Sequence, residues 1–519
     1  MSGTLQPQNC SSLLPLLLLN SRSGGLSSAI AFTTLVTVFP RWLRDALAEV
    51  SARKEGSLYL AGGTVRDLLL GRVPEDIDLT VEQDAKQWAQ TCVQVTGGTY
   101  VPLGRNEDAA RVVCRGVTLD FSSFRDGAVT IEEELQLRDM SINSLAVQLD
   151  RFLENNKAVF LNVIDPAGGL QDLVDKQIRI PFAESFVHDP LRLLRVYRFA
   201  AVLGFSLEEQ TVALVTQQAH LIDKVSSERI HHELDLIMGS GRAARTFTQM
   251  ASSGLLWEVL PELQGGVGMA QPASHHLDVF FHSLEALEQM ELLVKQQDHG
   301  YSGYGQEFDQ YLQQGGNRNL LKWAALCHDL GKPVTHALDE RRDNRITFYN
   351  HDQVGARLVK QVAERHRWSK QSADQVALLV AHHMRLFHLL NVGRTGEIST
   401  KACIRLIKTV GPELLGLFLL AMADARAGKG ELQPQDIETE LGDLLARVLS
   451  VQKEKVQPVL EAPRLLTGND LIKELGLTPG PLFKKILQKV QDAQMEQQIT
   501  TREQALALAI SCADEHAEQ

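Results

Sequence analysis

The spacing of apolar and polar positions changes character once along the chain. Between Pro40 and about Leu149, short β-rich runs such as "SLYLA" (57–61) and "VTLDFSSF" (117–124) alternate with stretches of helical spacing, which predicts a mixed α/β region. From about Asp165 onward the strand patterns stop. Windows such as "DPLRLLRVYRFAAVLGF", "NLLKWAALCHDLGK" and "ADQVALLVAHHMRLF" repeat apolar residues three and four apart, so the last two thirds are expected to be almost entirely helical. The Gly-, Gln- and Tyr-containing segment from Gln296 to Asn319 reads as a long loop between helices. Val451 to Pro463 reads as a connector before a small final unit.

Composition narrows the class. At 519 residues, 44% hydrophobic and 22% charged, the chain is an ordinary globular protein with apolar residues for several cores. A net charge of −12 argues against indiscriminate nucleic-acid binding, so any polyanion must meet a local basic patch. Six scattered cysteines without C-x-x-C spacing (Cys10, Cys92, Cys114, Cys327, Cys403, Cys512) fit reduced thiols in the cytoplasm. The first forty-four residues carry Arg22, Arg41 and Arg44 but no Asp or Glu, a composition shared by disordered leaders and by organellar transit segments. The run "LLPLLLL" is too short to span a bilayer, and no membrane partner is expected.

One stretch concentrates chemistry. In "LAGGTVRDLLLGRVPEDIDLTV" (60–81) a strand leads to Gly62 and Gly63, whose bare backbone lets a ligand approach, and "TVRDLLLG" then starts a helix, so the turn reads as an anion cradle. Arg66 is placed to reach a triphosphate, and Asp67 either holds that arginine or caps the helix. Asp76 and Asp78, one residue apart on a strand, share a face. Such pairs are common and mostly solvated, but two same-face carboxylates beside a phosphate cradle suit Mg2+. The chemistry implied is in-line attack of a hydroxyl on a nucleotide α-phosphorus. Asp120, in "VTLDFSSF", is either a third carboxylate or a solvent-facing strand residue.

A second set lies in the helical part: His282 in "HHLDVFFHSLEAL", His328 and Asp329 in "LCHDLGKP", His351 in "FYNHDQVGA", His383 (or its neighbour His382) in "VAHHMRLF", and Asp424 in "LLAMADARAG". Most lie tens of residues apart in helical contexts, as ligands gathered by a bundle would be, and imidazole with carboxylate suits a divalent transition metal or Mg2+. Near the C-terminus, Gly480 precedes a helix bearing Lys484 and Lys485, a group suited to an RNA phosphate or simply to solvent.

These motifs resemble the class II tRNA CCA-adding enzymes and bacterial poly(A) polymerases, whose GG-x-V-R-D-x-L-L-G…D-x-D signature is matched without gaps. "LRDMSINSLAV" resembles the family's R-R-D-x-x-x-N-x-L-A element, which contacts the ribose and triphosphate, and it supplies Arg138, Asp139 and Asn143; Leu137 replaces the usual first arginine. "HDPLRLLRVYRFAAVLGF" resembles the E-D-x-x-R element that reads the incoming base. It supplies Asp189 and Arg192, expected on one helix face, with His188 in place of the usual glutamate; Arg195 and Arg198 follow as further contacts or as ion-pair partners. The helical histidines resemble the HD phosphohydrolase pattern, and the last domain resembles the tRNA-supporting tail of long bacterial CCA-adding enzymes.

The resemblance implies an α+β protein: an unassigned segment 1–39, a nucleotidyltransferase head over 40–165, a helical nucleotide- and RNA-binding region over 166–265, an HD domain over 266–450 and a helical RNA-binding tail over 464–519. It implies template-independent addition of C and/or A to the tRNA 3′ end. ATP and CTP would be the donors, Mg2+ would sit on Asp76 and Asp78, and a divalent metal would occupy the HD domain. The rivals are a poly(A) polymerase of the same superfamily and an HD-type RNA-end phosphohydrolase whose head only binds RNA.

Overall fold

The computed structural model describes residues 29–31, 39–104, 108–154, 160–342 and 344–517, so Cys10 and most of the segment 1–39 lie outside it, while Ala29–Ala31 forms a strand paired with Phe160–Asn162. The chain forms two units, one of residues 1–240 with 249–259 and one of 241–248 with 260–519.

The first unit is built on a six-stranded sheet of β1 (Leu58–Ala61), β2 (Asp76–Val81), β3 (Thr99–Leu103), β4 (Ala109–Cys114), β5 (Val117–Ser123) and β6 (Ala146–Gln148) in the order β3-β4-β5-β2-β1-β6. Strands β2 and β5 run parallel, with Asp78 opposite Asp120, and β4 runs antiparallel to β5, with Arg111 opposite Asp120. Period-two alternation then sorts the two faces. Ile77, Leu79, Leu119, Phe121, Ala110 and Val112 are buried, and the helices Arg41–Ala52 and Ala85–Thr96 contribute Leu43, Leu47, Trp88 and Cys92 to the same core. Asp76, Asp78, Asp120 and Arg111 project from the other face.

Three helices carry the remaining residues of interest: α1 (Gly63–Leu69), α2 (Arg192–Leu203) and α3 (Ser227–Gly239). A short helix, Ile131–Gln136, starts at a capping box in which Thr130 Oγ1 accepts from the Glu133 amide and Glu133 accepts from the Thr130 amide. It sets up the buried Glu134 and, just beyond its end, Arg138.

The second unit is helical: α4 (Val279–Leu293), α5 (Asn317–Cys327), α6 (His351–Arg365), α7 (Lys370–His382) and α8 (Leu414–Gly428) form its main bundle. Nearly every residue of α8 is buried, as expected of a helix that is apolar all round. The stretch Thr400–Gly428 has the length and hydropathy to cross a membrane, but 67% of that window is packed inside the protein.

Three expectations change, the first being the connector, through which Gln452–Val456 and Gln457–Glu461 carry on the helix Ile437–Val451. The Gln296–Asn319 segment is no plain loop: it holds the helix Gly305–Leu312 and anchors itself through buried Tyr301, which donates to the Phe418 carbonyl at 2.6 Å and stacks on Phe308. The helical part also contains short strands, a parallel pair Gln177–Ile178 with Ser206–Leu207 and a hairpin of Ala337–Asp339 with Arg345–Thr347. The tail helices Gly468–Leu475, Pro481–Met495 and Arg502–Ala517 enclose their own core of Leu466, Leu471, Ile486, Val490, Ala505 and Ala509.

Candidate active site and metal centre

The glycine turn joins β1 to α1 and lies against Asp78. Gly62 has φ +68° and ψ −136°, a conformation open to glycine and strained for any L side chain. A Cβ there would lie 2.4 Å from Arg138 Nη1 and 3.3 Å from Asp78 Oδ2. The role expected of Gly62 as an amide donor is corrected, because its N–H already bonds the Leu145 carbonyl at 2.9 Å. Its contribution is the missing side chain, and the first-turn amides of α1, which lack intrahelical acceptors, are left open to an anion.

Asp78 is held in place by Thr64, whose Oγ1 accepts from the Asp78 amide at 2.8 Å and donates to the Asp76 carbonyl at 3.2 Å. Burial pushes the Asp78 carboxyl above the ordinary range, the neighbouring Asp120 adds to this, and Arg138 and Arg66 oppose it. Asp120 accepts two bonds from Arg111, and Arg111 also reaches Asp76 at 3.1 Å. Three carboxylates on one sheet face, one of them resisting ionisation in its free state, are a donor set that fits a hard divalent cation.

Behind this face lies a connected charge network. Arg66 donates to Asp67 through Nε and Nη2, both at 2.9 Å, and to Asn143 Oδ1 at 2.7 Å, so Asp67 holds the arginine rather than capping α1. Asn143 donates to Asp139 at 2.9 Å, and Arg195 donates to Asp139 at 2.8 Å. Burial works against the charged form of Asp139, but Arg195, Asn143 and Arg192 outweigh it and hold its carboxyl well below the usual range. Glu233 of α3 lies 2.7 Å from Arg198 Nε and 3.9 Å from Arg195, so both arginines serve as internal ion-pair partners. Arg138 is buried and donates to Thr80 Oγ1 at 3.0 Å and Glu134 at 3.4 Å, a support behind Gly62.

The expected shared helix face of Asp189 and Arg192 does not form. α2 begins at Arg192, while Asp189 lies before it in extended backbone because Pro190 follows. Asp189 instead accepts from the Leu191 amide at 3.2 Å and pairs with Arg229 of α3 at 3.2 Å. Arg192 is turned toward Ser185 Oγ (2.8 Å) and the carbonyls of Leu137 (2.8 Å) and Arg138 (3.3 Å).

In the second unit all six expected ligands converge. His282 comes from α4, His328 and Asp329 follow α5, His351 opens α6, His383 follows α7, and Asp424 lies on α8. His282 Nε2 lies 3.2 Å from His328 Nε2 and 3.0 Å from Asp424 Oδ1. His351 Nε2 lies 3.1 Å from His383 Nε2. Asp329 joins the two groups, with Oδ2 3.2 Å from His328 and Oδ1 3.5 Å from His351. The Nδ1 atoms of His328, His351 and His383 each lie 2.8 Å from a backbone carbonyl, of Ala325, Phe348 and Val380, which assigns the proton to Nδ1 and leaves Nε2 as an acceptor. Acceptors facing each other at 3.1–3.2 Å fit a cation between them. Burial drops the His383 pKa to about 3. His328 goes the other way, to about 9, because Asp329 and Asp424 outweigh the same burial, so without a cation its Nε2 carries a proton and it becomes an acceptor only when that proton is displaced.

His383, not His382, enters the centre; His382 is only half-buried. Gly331 makes the geometry accessible, since a Cβ there would meet the His351 carbonyl at 2.0 Å. His275, beside His282 and Asp424, and Lys332, 2.5 Å from Asp329, join the group. Sequence reasoning passed over both, as it did Arg111, Arg229 and Glu233. His275 and Lys332 sat inside quoted motifs and had a readable signal. In the tail, Lys484 and Lys485 are exposed on the first turn of Pro481–Met495 with Gly480 at its N-cap.

Four family models match the chain: a poly(A) polymerase head domain over 58–179, a probable RNA- and SrmB-binding site of polymerase A over 204–265, an HD domain over 279–411, and a putative second domain of tRNA nucleotidyltransferases over 452–510. The A-adding tRNA nucleotidyltransferase of Deinococcus radiodurans is 32% identical over 466 residues, covering 88% of this chain and 95% of that one. The CC-adding tRNA nucleotidyltransferase of Thermus thermophilus is 31% identical over 458 residues, covering 87% and 93%. A Thermotoga maritima CCA-adding enzyme complexed with tRNA shares the fold, with a TM-score of 0.59 at 21% identity over 94% of this chain and 99% of that one. A CCA-adding enzyme with ATP does so with a TM-score of 0.60 at 21% identity, covering 91% and 94%.

Proposed function

Starting from the tRNA nucleotidyltransferase family, to which this chain belongs, we propose that Asp76 and Asp78 hold the Mg2+ of a site that adds C and/or A to the 3′ end of tRNA from CTP and ATP. The chain is a tRNA nucleotidyltransferase, and that reading prevails over a poly(A) polymerase and over a hydrolase with a passive head. One observation carries the site assignment: Asp76 and Asp78 project from the sheet face on which the glycine turn and α1 close over Asp78. When bound, Mg2+ neutralises the triphosphate and activates the 3′-hydroxyl. The residues of this chain bind and orient. The first turn of α1 receives phosphate, Arg66 and Asn143 brace each other beside it, and Asp139 locks Asn143 to Arg195. Asp189 and Arg192 read the base after exchanging their present partners. The tail, through Gly480, Lys484 and Lys485, supports the RNA by phosphate contacts. Cytoplasmic residence accords with a kinship to tRNA nucleotidyltransferases.

The test uses three tRNA transcripts, ending before CCA, after C and after CC, each with labelled CTP or ATP and Mg2+. Asp76→Asn with Asp78→Asn serves as control. Incorporation limited to a defined few nucleotides and lost in the control supports the proposal, and the base added to each transcript fixes C, A or CCA addition. Incorporation that survives the double substitution refutes the assignment.

The HD centre supports a second activity, because the facing Nε2 pairs and the bridging Asp329 match a divalent-metal phosphohydrolase. Metal-dependent release of phosphate, or opening of a cyclic phosphate, on RNA ends by wild type but not by His328→Ala would establish it. Equal hydrolysis by both would end that reading.

A further inference from the structure

The head carries more acid than one Mg2+ balances. Asp76, Asp78 and Asp120 bring three negative charges to one face, and Arg138, the cation behind Asp78, is already compensated by Glu134. Arg66, which also faces Asp78, is paired with Asp67, and among the described residues the cation left to this face is Arg111. Its Nε and Nη2 donate to Asp120 Oδ1 and Oδ2, both at 2.8 Å, and the same Nη2 donates to Asp76 Oδ2 at 3.1 Å. A planar guanidinium facing a carboxylate in this two-pronged way is a strong, geometrically specific pair. With Arg111 counted, the face carries the two net negative charges that a divalent ion neutralises.

We infer that Arg111 is a positioning residue for the transfer reaction, which engages both oxygens of Asp120 and thereby keeps that carboxylate out of the metal's ligand set. The metal site is then a two-carboxylate site, Asp76 with Asp78. Asp120 serves as the arginine's anchor, and through the shared Nη2 it orients Asp76. The cross-strand register accounts for the arrangement: Arg111, Asp120 and Asp78 lie side by side on β4, β5 and β2. This inference rests on Asp76 and Asp78 being the metal's ligands.

The experiment measures Mn2+ binding to the full-length protein by isothermal titration or by the loss of free-ion EPR signal. Head sites are identified as those that disappear in Asp76→Ala with Asp78→Ala. Arg111→Gln releases Asp120 and leaves three uncompensated carboxylates, so head affinity should rise roughly tenfold. In the same variant kcat for nucleotide incorporation should fall while KM for the nucleotide stays within about twofold, because the triphosphate contacts are untouched. The double variant Arg111→Gln with Asp120→Asn removes the pair together at constant net charge, and its Mn2+ affinity should stay within about threefold of wild type. Unchanged or weaker binding in Arg111→Gln, or a larger loss in the double variant, overturns the inference, the latter by showing that Asp120 is a ligand. If the single variant fails to fold by circular dichroism, the double variant decides alone. If no Mn2+ site disappears in Asp76→Ala with Asp78→Ala, the metal assignment beneath it is refuted instead.

Discussion

Replacing Gly62 by alanine separates the two reasons a glycine can occupy a phosphate-binding turn. At φ +68° and ψ −136° an alanine is strained by about 1–3 kcal/mol before it touches anything. Its Cβ would then stand 2.4 Å from Arg138 Nη1, and Arg138 is buried between Thr80 and Glu134 with little room to retreat. Losing one charge-assisted bond there adds about 1.5–3 kcal/mol. Together these make roughly 3–6 kcal/mol, a large share of the ~5–15 kcal/mol that holds a typical protein folded. Gly63 is the control. It has helical backbone, and its Cβ would meet Asp78 Oδ2 at 3.4 Å and Arg66 Nη2 at 3.5 Å, close to ordinary contact. Gly63→Ala should therefore keep or slightly raise stability while narrowing the cradle, giving a higher nucleotide KM in a folded enzyme. The assay is amide hydrogen exchange of Leu58–Ala61 and of the bonded amides of α1 from Arg66 onward, which reports on this region without assuming that two units unfold together. Gly62→Ala should exchange far faster than wild type and Gly63→Ala should not. Equal protection in all three proteins would refute the claim that backbone conformation and the Arg138 contact, rather than ligand access, require glycine at 62.

One further outcome follows from the charge network and one from the tail. Asp139→Asn removes a buried carboxylate whose folded pKa is depressed, so the stability it provides is present above its unfolded pKa of about 3.9 and fades as pH falls below that. At neutral pH the variant should lose about 3 kcal/mol, because Arg195 is left half-paired, and the gap to wild type should shrink as urea denaturation is repeated from pH 6 toward pH 3; a gap that widens on acidification would contradict the assignment. Lys484→Glu with Lys485→Glu should raise KM for tRNA, steeply so at low salt, and leave KM for ATP unchanged, and a tRNA KM equal to wild type at every salt concentration would remove the tail lysines from the RNA path.

What the sequence revealed and what it hid divide along a physical line. Asp76 and Asp78 were legible because two residues apart on a strand is a local relation, fixed once the strand is recognised. That the six residues of the HD centre would meet was legible for another reason: imidazole and carboxylate on otherwise apolar helices are costly unless they meet, so their residue types betrayed the cluster although their spacing did not. Arg111, Arg229 and Glu233 carry no such mark, since arginine and glutamate on amphipathic elements are what solvent-facing positions normally hold. Their roles come from pairings that only the assembled fold defines, the β4–β5 register for Arg111 and the packing of α3 on α2 for Glu233 and Arg229. The misplacement of Asp189 has the same origin at shorter range. Helical spacing put it on a face with Arg192, while Pro190 keeps the preceding residue out of the helical region, so a local rule that was available outweighs the periodicity. The D-x-D pair thus points to the reaction, and the cation that sets the charge around it becomes visible only in three dimensions, which is why Arg111, absent from the motifs, and its partner Asp120 are the part of the head most informative to perturb.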